Sequence, residues 1–231
     1  MMGDLKICYL PTQWRGLDPE LLRASACAVI DVIRATSTIA MALANGAGVQ
    51  PVADVADAFA LKERLPGAIL AGERGGQPLP GFDLGNSPED FTASRVQGRR
   101  VILTTTNGTQ ALAACRGART VLTASLLNLG AAATRLRELG PPWIVVCAGC
   151  DGEFGVDDAV VAGGIAEALG QEHPMAALFR ATRGDLTETL LGSAAGQELR
   201  KVGLEKDIPF CAQVDLFSIV PTMSADGVLR G

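Results

Sequence analysis

The amino-acid sequence predicts an α/β protein with three layers, in which helices cover both faces of a mostly parallel or mixed sheet. Two observations support this prediction. Short apolar runs rich in Val and Ile alternate with Ala-rich segments of helical length, which is typical of a sheet covered on both sides. The 231 residues are 48% apolar and only 19% charged, so the chain can bury a large core.

The alternation places seven strands and five helices before residue 170. The predicted strands are Leu5–Leu10, Cys27–Val32, Val49–Val52, Ala68–Ala71, Arg100–Thr104, Thr120–Thr123 and Ile144–Cys147. The predicted helices lie near Thr38–Ala44, Val55–Leu65, Thr109–Cys115, Leu129–Leu139 and Asp157–Leu169. Gly46 and Gly140 stand where two of these helices end, because glycine readily adopts the backbone conformation of a helix C-terminus.

The last third of the chain has a different pattern. Helical turns are predicted over Met175–Leu204, broken at Gly184, Gly192 and Gly196. The shorter elements expected after them are strands at Pro209–Gln213 and Ser218–Pro221 and a hairpin turn at Ala225–Gly227.

No linker rich in Pro, Gly and Ser divides the chain, so a single domain over residues 1–231 is expected, with two intertwined lobes as the alternative. One pattern occurs twice: Val29–Thr38 and Val101–Thr109 each read as a strand, a hydroxyl-rich turn and the start of a helix. This repetition has two possible explanations. The chain could consist of two pseudo-related halves, or the pattern could recur only because it is common in α/β folds.

The charge of the chain excludes several classes of partner. With 20 Lys and Arg against 25 Asp and Glu, the net charge is −5, so the basic surface that nucleic acids or anionic membranes require is not expected. The N-terminus lacks a signal-peptide pattern, and the longest uncharged run, Ala35–Ala53, is too polar to span a bilayer. We therefore expect a cytoplasmic protein whose six cysteines are reduced, and the sequence leaves a homodimer open.

The scarcity of histidine excludes several kinds of active site. The single histidine, His173, rules out a zinc site with several histidines, and its polar surroundings show no sign of a Ser-His-Asp triad. Cys147 and Cys150 have the spacing of a redox pair, but they follow a buried-strand pattern and no second pair exists for a zinc site.

Four polar clusters follow predicted strands, where ligands bind in open α/β sheets. In the first, Asp31 and Arg34 precede the hydroxyls of Thr36–Thr38. A carboxylate that closes an apolar strand needs a metal or a cation, and hydroxyls at a helix start can bind an anion. The alternative is that Asp31 pairs with Arg34 while Thr36 caps the helix.

The other three clusters carry the same ambiguity. The loop Gly72–Pro88 is rich in glycine and contains Arg74, a forked donor for anions, but it could be a plain surface loop. Thr104–Thr109 suits an anion cradle or a capped helix with an Asn-Gly turn. Ala148–Asp158 has four carboxylates within eight residues, more than capping of the next helix requires, and oxygen ligands of this kind suit Mg²⁺.

Together the clusters predict metal-assisted chemistry on a small, highly anionic substrate, because phosphoryl transfer needs mainly positioning and charge neutralisation. The residues of these clusters and of the C-terminal region also resemble one family, the 2-phosphosulfolactate phosphatases. The resemblance rests on Asp31–Thr38, Gly72–Arg74, Gly81–Pro88, Thr105–Thr109, Cys147–Gly149, Asp157–Asp158 with Ala162–Gly163, Asp207–Asp215 and Val220–Pro221.

The resemblance implies a Mg²⁺-dependent phosphatase that converts 2-phosphosulfolactate to sulfolactate and phosphate in coenzyme M biosynthesis, with a three-layered α/β/α architecture. With it we assign Asp31, Glu73 and Asp158 as Mg²⁺ ligands and catalytic residues, and Asp83 as a further catalytic residue that orients an arginine or water. The predicted substrate-binding residues are Arg34, Thr36, Ser37, Arg74, Asn86, Ser87, Thr106, Asn107, Thr109 and Asp215.

Two departures from the family pattern bear on the substrate. Asp157 stands where the family more often has Glu, and Ser193–Gln197 lacks the basic residue associated with that place. Two alternative functions therefore stay open: a phosphatase or lyase acting on another small phospho- or sulfo-carboxylate, and a non-catalytic protein that binds sulfonates or carboxylates.

Overall fold

A computed structural model describes residues 4–231. Ten strands in this part of the chain form one sheet: β1 (Leu5–Cys8), β2 (Ala26–Ile30), β3 (Gly48–Pro51), β4 (Ile69–Arg74), β5 (Gln77–Pro78), β6 (Arg100–Thr104), β7 (Thr120–Ala124), β8 (Trp143–Cys147), β9 (Thr222–Met223) and β10 (Leu229–Arg230). The helices are α1 (Pro11–Arg15), α2 (Pro19–Ala24), α3 (Ala35–Ala44), α4 (Val55–Arg64), α5 (Ala93–Val96), α6 (Gly108–Ala114), α7 (Leu129–Leu139), α8 (Val156–Ala168), α9 (Pro174–Thr182), α10 (Leu186–Gly192), α11 (Ala194–Lys201) and α12 (Ile208–Cys211).

The sheet contains two groups of parallel strands, in the order β1-β8-β2-β7 and β3-β6-β4. The short hairpin β9–β10 lies between the groups and pairs with both in the antiparallel sense, and β5 adds an antiparallel strand at the far edge. The sheet is therefore mixed, as predicted. One copy of the repeated strand-turn-helix pattern lies in each parallel group, at β2–α3 and β6–α6.

Apolar side chains on both faces of the sheet explain the three layers. Along β2, Cys27 and Val29 pack into a core with α3 and α6, whereas Ala26, Ala28 and Ile30 pack into a second core with α7 and α8. Successive side chains of a strand point to opposite faces, so a strand buried on both sides has to be apolar throughout. The α/β/α class predicted from the sequence is confirmed.

Two predicted strands near the C-terminus are wrong. Ile208–Cys211 is the helix α12, in which Pro209 occupies the first turn, where its missing N–H costs nothing. Residues 218–221 form no helix or strand, and β9 begins immediately after them at Thr222. The predicted hairpin turn at Ala225–Gly227 is confirmed between β9 and β10.

The expected breaks in the helical region are correct at Gly184 and Gly192 but wrong at Gly196, which lies inside α11. A Cβ atom at Gly196 would come within 2.1 Å of the carbonyl oxygen of Leu190. The glycine therefore permits close packing of α11 against α10 and does not end a helix. Within residues 4–231 no helix has the length and apolarity required to cross a membrane.

Candidate active site

The segments that follow β2, β4, β6 and β8 surround a small central cavity of about 80 Å³. Residues of α11 close its other side. Four polar clusters that are far apart in the sequence thus meet at one place. The predicted site residues that line the central cavity are Asp31, Arg34, Glu73, Asn86, Thr106 and Asn107.

Asp31 lies at the end of β2 and is buried against the start of α3. Its Oδ1 accepts a hydrogen bond from the main-chain N–H of Ala35 at 3.2 Å. A Cβ atom at Gly108 would lie 2.5 Å from Asp31 Oδ2, so only glycine lets α6 approach this closely. Burial, followed by the nearby carboxylates of Glu73 and Asp157, raises the pKa of Asp31 to about 7.

Glu73 is held by main-chain donors from two different loops. Its Oε1 accepts from the N–H of Thr106 at 2.8 Å, and its Oε2 accepts from the N–H of Gly76 at 2.8 Å. Gly75 and Gly76 both have positive φ values and form the two-residue turn between β4 and β5, as a tight hairpin requires. The Glu73 carboxylate is therefore fixed at the wall of the central cavity.

Asp158 connects two loops and does not line the central cavity. Its Oδ1 accepts from the N–H of Val32 at 2.9 Å and its Oδ2 from the N–H of Gly149 at 3.0 Å. Burial, then the carboxylates of Asp157 and Asp31, raises the pKa of Asp158 well above its ordinary value. The neighbouring Asp157 is also buried, with a pKa raised to about 6 by burial, and its Oδ1 has no hydrogen-bond partner.

Arg34 reaches the central cavity from a buried network. Its guanidinium donates to Asp207 Oδ2 at 2.6 Å, to Ser87 Oγ at 3.1 Å and to the carbonyl oxygen of Gly76 at 2.8 Å. The side chains of Arg34 and Asp207 are only 2% and 1% exposed. Sequence reasoning gave Asp207 no role of its own, although it begins the segment Asp207–Asp215 that carried part of the resemblance. Asp207 holds the arginine, and Ser87 links the two by donating to Asp207 at 2.7 Å.

Most of the predicted anion-binding hydroxyls serve the local backbone. The Thr36 hydroxyl donates to the carbonyl oxygen of Asp31 at 2.9 Å, and that of Ser37 to the carbonyl oxygen of Val32 at 2.8 Å. Thr109 donates in the same way to the carbonyl oxygen of Thr105 at 2.9 Å. For these three residues the geometry favours a local structural role over anion binding. The expected helix cap by Thr36 is wrong, because no side chain caps α3 at its N-cap residue, and Arg34 pairs with Asp207 and not with Asp31.

Three predicted site residues lie away from the central cavity. Arg74 donates to the carbonyl oxygen of Glu73 at 2.6 Å and to Thr104 Oγ1 at 3.0 Å. Asp83 is half exposed, where it accepts from the N–H of Leu70 at 2.8 Å and pairs with Lys62. Asp215 accepts from the N–H of Gly130 at the start of α7, at 2.6 Å. The structure does not bring these side chains together with Asp31 and Glu73.

A second, larger cavity adjoins the first, with a volume of about 310 Å³. We call it the side cavity. Thr106, Asn107 and Asp151 line both cavities, and Trp14 and Arg15 of α1 line the side cavity alone. Sequence reasoning missed Arg15, although the signal was present: α1 follows β1 directly, and β1 is parallel to β8 and β2.

The structure offers no low-pKa nucleophile from the thiols and the histidine discussed above. Cys147 is buried, which raises its pKa well above the ordinary value, and burial with nearby carboxylates raises the pKa of Cys150 to about 11. His173 caps α9 by accepting from the N–H of Met175 at 3.2 Å. The groups left for chemistry at the site are therefore carboxylate and amide oxygens, which can bind a metal ion, and the guanidinium of Arg34.

The donor set fits a hard divalent cation with water among its ligands. Among residues 4–231, no three His, Cys, Asp or Glu side chains come together closely enough to hold a metal ion on their own. Mg²⁺, however, is commonly held by one or two carboxylates and completes its shell with water and substrate oxygens. Asp31 and Glu73 provide two such carboxylates at the central cavity, and Asn86 Oδ1 is a buried oxygen there without a partner.

The raised pKa values predict that the metal-free protein loses stability between pH 5 and pH 8. As the pH rises, Asp31 and Asp157 ionise first in the unfolded chain, because their folded-state pKa values of about 7 and about 6 exceed the ordinary 3.8. Each unit of difference is worth about 1.4 kcal/mol, so the free energy of unfolding should fall by a few kcal/mol over this range. Urea unfolding in EDTA measures it.

The matched variants for this measurement are Asp31→Asn and Asp57→Asn. Asp31→Asn should reduce the pH dependence to the part that Asp157 contributes, and Asp57→Asn, at an exposed position, should leave it unchanged. A free energy of unfolding that stays constant or rises from pH 5 to pH 8 in EDTA would contradict the buried-carboxylate account.

Comparison with known proteins agrees with this geometry. A family model described as 2-phosphosulpholactate phosphatase matches residues 17–226. A protein from Gloeobacter violaceus, named probable 2-phosphosulfolactate phosphatase, is 44% identical in an alignment 223 positions long that covers 91% of this chain and 94% of the relative. Two further proteins with the same name are 42% identical to this chain. The one from Synechococcus sp. RCC307 aligns over 90% of this chain and 92% of its own length. The one from Deinococcus radiodurans aligns over 84% of this chain and 86% of its own length.

The family model spans all four polar clusters and the segment that contains Asp207, and the Gloeobacter relative covers 91% of the chain, so the resemblance inferred from short motifs extends over nearly the whole chain. The chain belongs to the 2-phosphosulfolactate phosphatase family.

Proposed function

We propose that this protein hydrolyses the phosphate ester of 2-phosphosulfolactate, with Mg²⁺, to give 3-sulfolactate and phosphate. The observation that carries the proposal is the meeting of Asp31, Glu73 and Arg34 at one cavity in a chain of this family. Asp31 and Arg34 follow β2 and Glu73 lies near the end of β4, and together they supply two carboxylates and one guanidinium. A phosphoryl-transfer site needs little more than this, since catalysis depends mainly on positioning and charge neutralisation.

The charge balance of the central cavity requires a cation. The substrate carries a phosphate, a sulfonate and a carboxylate, whereas the cavity wall includes the acidic residues Asp31, Glu73, Asp151 and Glu198. Asp31 and Glu73 would hold the metal ion. When bound, Mg²⁺ supplies neutralisation of the phosphoryl charge and lowers the pKa of water.

The protein side chains orient the phosphoryl group. A guanidinium has five N–H donors, and the bonds of Arg34 to Asp207, Ser87 and Gly76 leave donors available for phosphoryl oxygens. Asn107 lines both cavities and its side chain makes no capping bond to α6, so its amide can donate to the substrate. The leaving oxygen takes its proton from water or a carboxyl group, because no histidine lines the cavity.

We place this reaction in coenzyme M biosynthesis and in the cytoplasm. The six cysteines are all free, five of them buried, which suits a reducing compartment.

The proposal is tested by phosphate release from 2-phosphosulfolactate after EDTA treatment, with and without added Mg²⁺. We expect turnover only with Mg²⁺, and a loss of at least about 100-fold in Glu73→Gln, since the metal interaction contributes several kcal/mol. Glu89→Gln, at an exposed position, is the matched control and should behave like the wild type. Thermal unfolding of each variant checks that the fold is retained.

Three other results would contradict the proposal. Tight binding of sulfolactate without phosphate release would indicate a binding protein. Faster release from another small phosphoester, such as phosphoglycolate, would indicate a different substrate. Full turnover in EDTA would remove the metal from the reaction.

A further inference from the structure

The side cavity lies next to the central cavity, and Thr106, Asn107 and Asp151 line both. At about 310 Å³ the side cavity is the larger of the two. For a ligand whose phosphoryl group lies in the central cavity, the side cavity is thus the neighbouring space that its other end would enter, toward α1.

Arg15 is the one basic residue among those that line the side cavity. Its guanidinium carbon lies 5.0 Å from the centre of the Trp14 ring, a cation–π contact that restricts where the charge can lie. The indole is itself fixed, because Trp14 is buried and its Nε1 donates to the carbonyl oxygen of Cys147 at 3.1 Å. In the part of the chain that the structure describes, no carboxylate lies within 4.0 Å of the Arg15 guanidinium.

The other two arginines considered, Arg34 and Arg74, do not serve the far end of the substrate, since Arg34 is assigned to the phosphoryl group. Arg34 pairs with Asp207, and Arg74 donates to Glu73 and Thr104 and lines neither cavity. The end of the substrate that lies away from Arg34 and the metal therefore meets a single positive charge. We propose that Arg15 binds the sulfonate group of the substrate and so determines the preference for sulfonated esters. This inference rests on the proposed function.

The shape of the substrate favours the sulfonate over the carboxylate as the partner of Arg15. The carboxylate is attached directly to the carbon that bears the phosphate, whereas the sulfonate is one carbon further along the chain. The sulfonate is thus the anionic group that reaches furthest from the phosphorus. Its three oxygens also match the several N–H donors of a guanidinium.

Asp151 also lines the side cavity and presents the alternative role for Arg15. If Arg15 serves only to neutralise Asp151, removal of that carboxylate should make Arg15 dispensable. If Arg15 binds the sulfonate, Asp151→Asn removes a repulsive charge and should leave the KM unchanged or lower it. The two accounts therefore predict different KM values for the double variant Arg15→Gln, Asp151→Asn. The KM is restored if Arg15 only neutralises Asp151, and it stays raised if Arg15 binds the sulfonate.

The experiment compares three esters: 2-phosphosulfolactate, 2-phospholactate, which lacks the sulfonate, and O-phospho-2-hydroxyethanesulfonate, which lacks the carboxylate. For Arg15→Gln we expect KM to rise about 10- to 100-fold for the two sulfonated esters, the size of one charge-assisted hydrogen bond. For 2-phospholactate both KM and kcat should stay near the wild-type values. Arg15→Lys should be intermediate, because lysine keeps the charge without the fork.

Arg64→Gln, at an exposed position on α4, is the matched control and should change none of the three. An equal loss on all three esters, no loss on any, or full rescue of Arg15→Gln by Asp151→Asn would overturn the inference.

A failure of the proposed function can be distinguished from a failure of this inference, because the wild type would then release phosphate from none of the three esters. In that case calorimetric titration with 3-sulfolactate and with lactate decides the inference directly. Binding of 3-sulfolactate that is weakened by Arg15→Gln supports the subsite, and equal binding by the variant and the wild type overturns it.

Discussion

Asp31→Asn is expected to lower kcat for 2-phosphosulfolactate by at least about 10³-fold while the protein keeps or gains thermal stability at pH 7.5. The loss follows because Asp31 lines the central cavity and would hold the metal ion, whose charge stabilisation is worth several kcal/mol. The stability follows because Asp31 is buried beside Glu73 and Asp157, so that its negative charge destabilises the fold at this pH. Phosphate release with Mg²⁺ and the Tm in EDTA, measured on the same preparation, check both parts.

Asp158→Asn should have a lower Tm than Asp31→Asn, although both substitutions remove a buried charge. The main-chain hydrogen bonds to Asp158 are 2.9 and 3.0 Å long, whereas the bond from Ala35 to Asp31 is 3.2 Å long. Both carboxylate oxygens of Asp158 accept hydrogen bonds from main-chain N–H groups, and an amide places a donor against one of them. A buried donor left unsatisfied costs about 1–3 kcal/mol, so the Tm should fall. Asp57→Asn is the exposed control for both variants. Retained turnover in Asp31→Asn would remove that residue from the metal site, whatever its effect on the Tm.

Arg34→Met is expected to destabilise the protein by about 3–5 kcal/mol and to abolish phosphate release. The substitution leaves Asp207 buried at 1% exposure with only the Ser87 hydroxyl as a partner, and an uncompensated buried charge of this kind is costly. The loss of activity has a separate cause, because Arg34 also presents its remaining N–H groups at the central cavity. Urea unfolding measures the first effect and phosphate release the second.

A double variant separates these two effects. Arg34→Met combined with Asp207→Leu removes both charges and fills similar volume, so much of the lost stability should return, as for other buried ion pairs replaced by apolar residues. Activity should not return, since the guanidinium is still missing. A double variant as unstable as Arg34→Met alone would show that the ion pair is not the source of the destabilisation. Recovery of activity in the double variant would exclude Arg34 from phosphate binding.

Apolar periodicity was sufficient to predict most of the sheet. Arg100–Thr104 was predicted at the observed bounds, and the strands around Cys27 and Ile144 differ from observation by one or two residues. These strands are buried on both faces, so their central residues form continuous apolar runs that are easily recognised. The C-terminal strands are two residues long, too short for any period to be visible, and there the prediction failed.

The rule that ligands bind at the carboxyl ends of strands found the right segments but not every side chain. It selected the turns that carry Asp31, Glu73 and Thr106, and all three line the central cavity. It also selected Arg74, whose guanidinium turns back to the main chain, and it passed over Arg15. Residues in one loop share their position along the sheet, but the direction of each side chain depends on partners from other loops.

The sequence by itself therefore determined the fold class, the four polar segments and the family. These properties depend on the order of residue types along the chain, which is what a sequence records. Only the tertiary structure decided that Asp158 binds main-chain amides while Asp31 faces the central cavity, and that Asp207 holds Arg34 from a distance of 173 residues. The physical reason is that burial and hydrogen-bond partners determine the role of a charged side chain, and its partners here come from segments far away in the sequence.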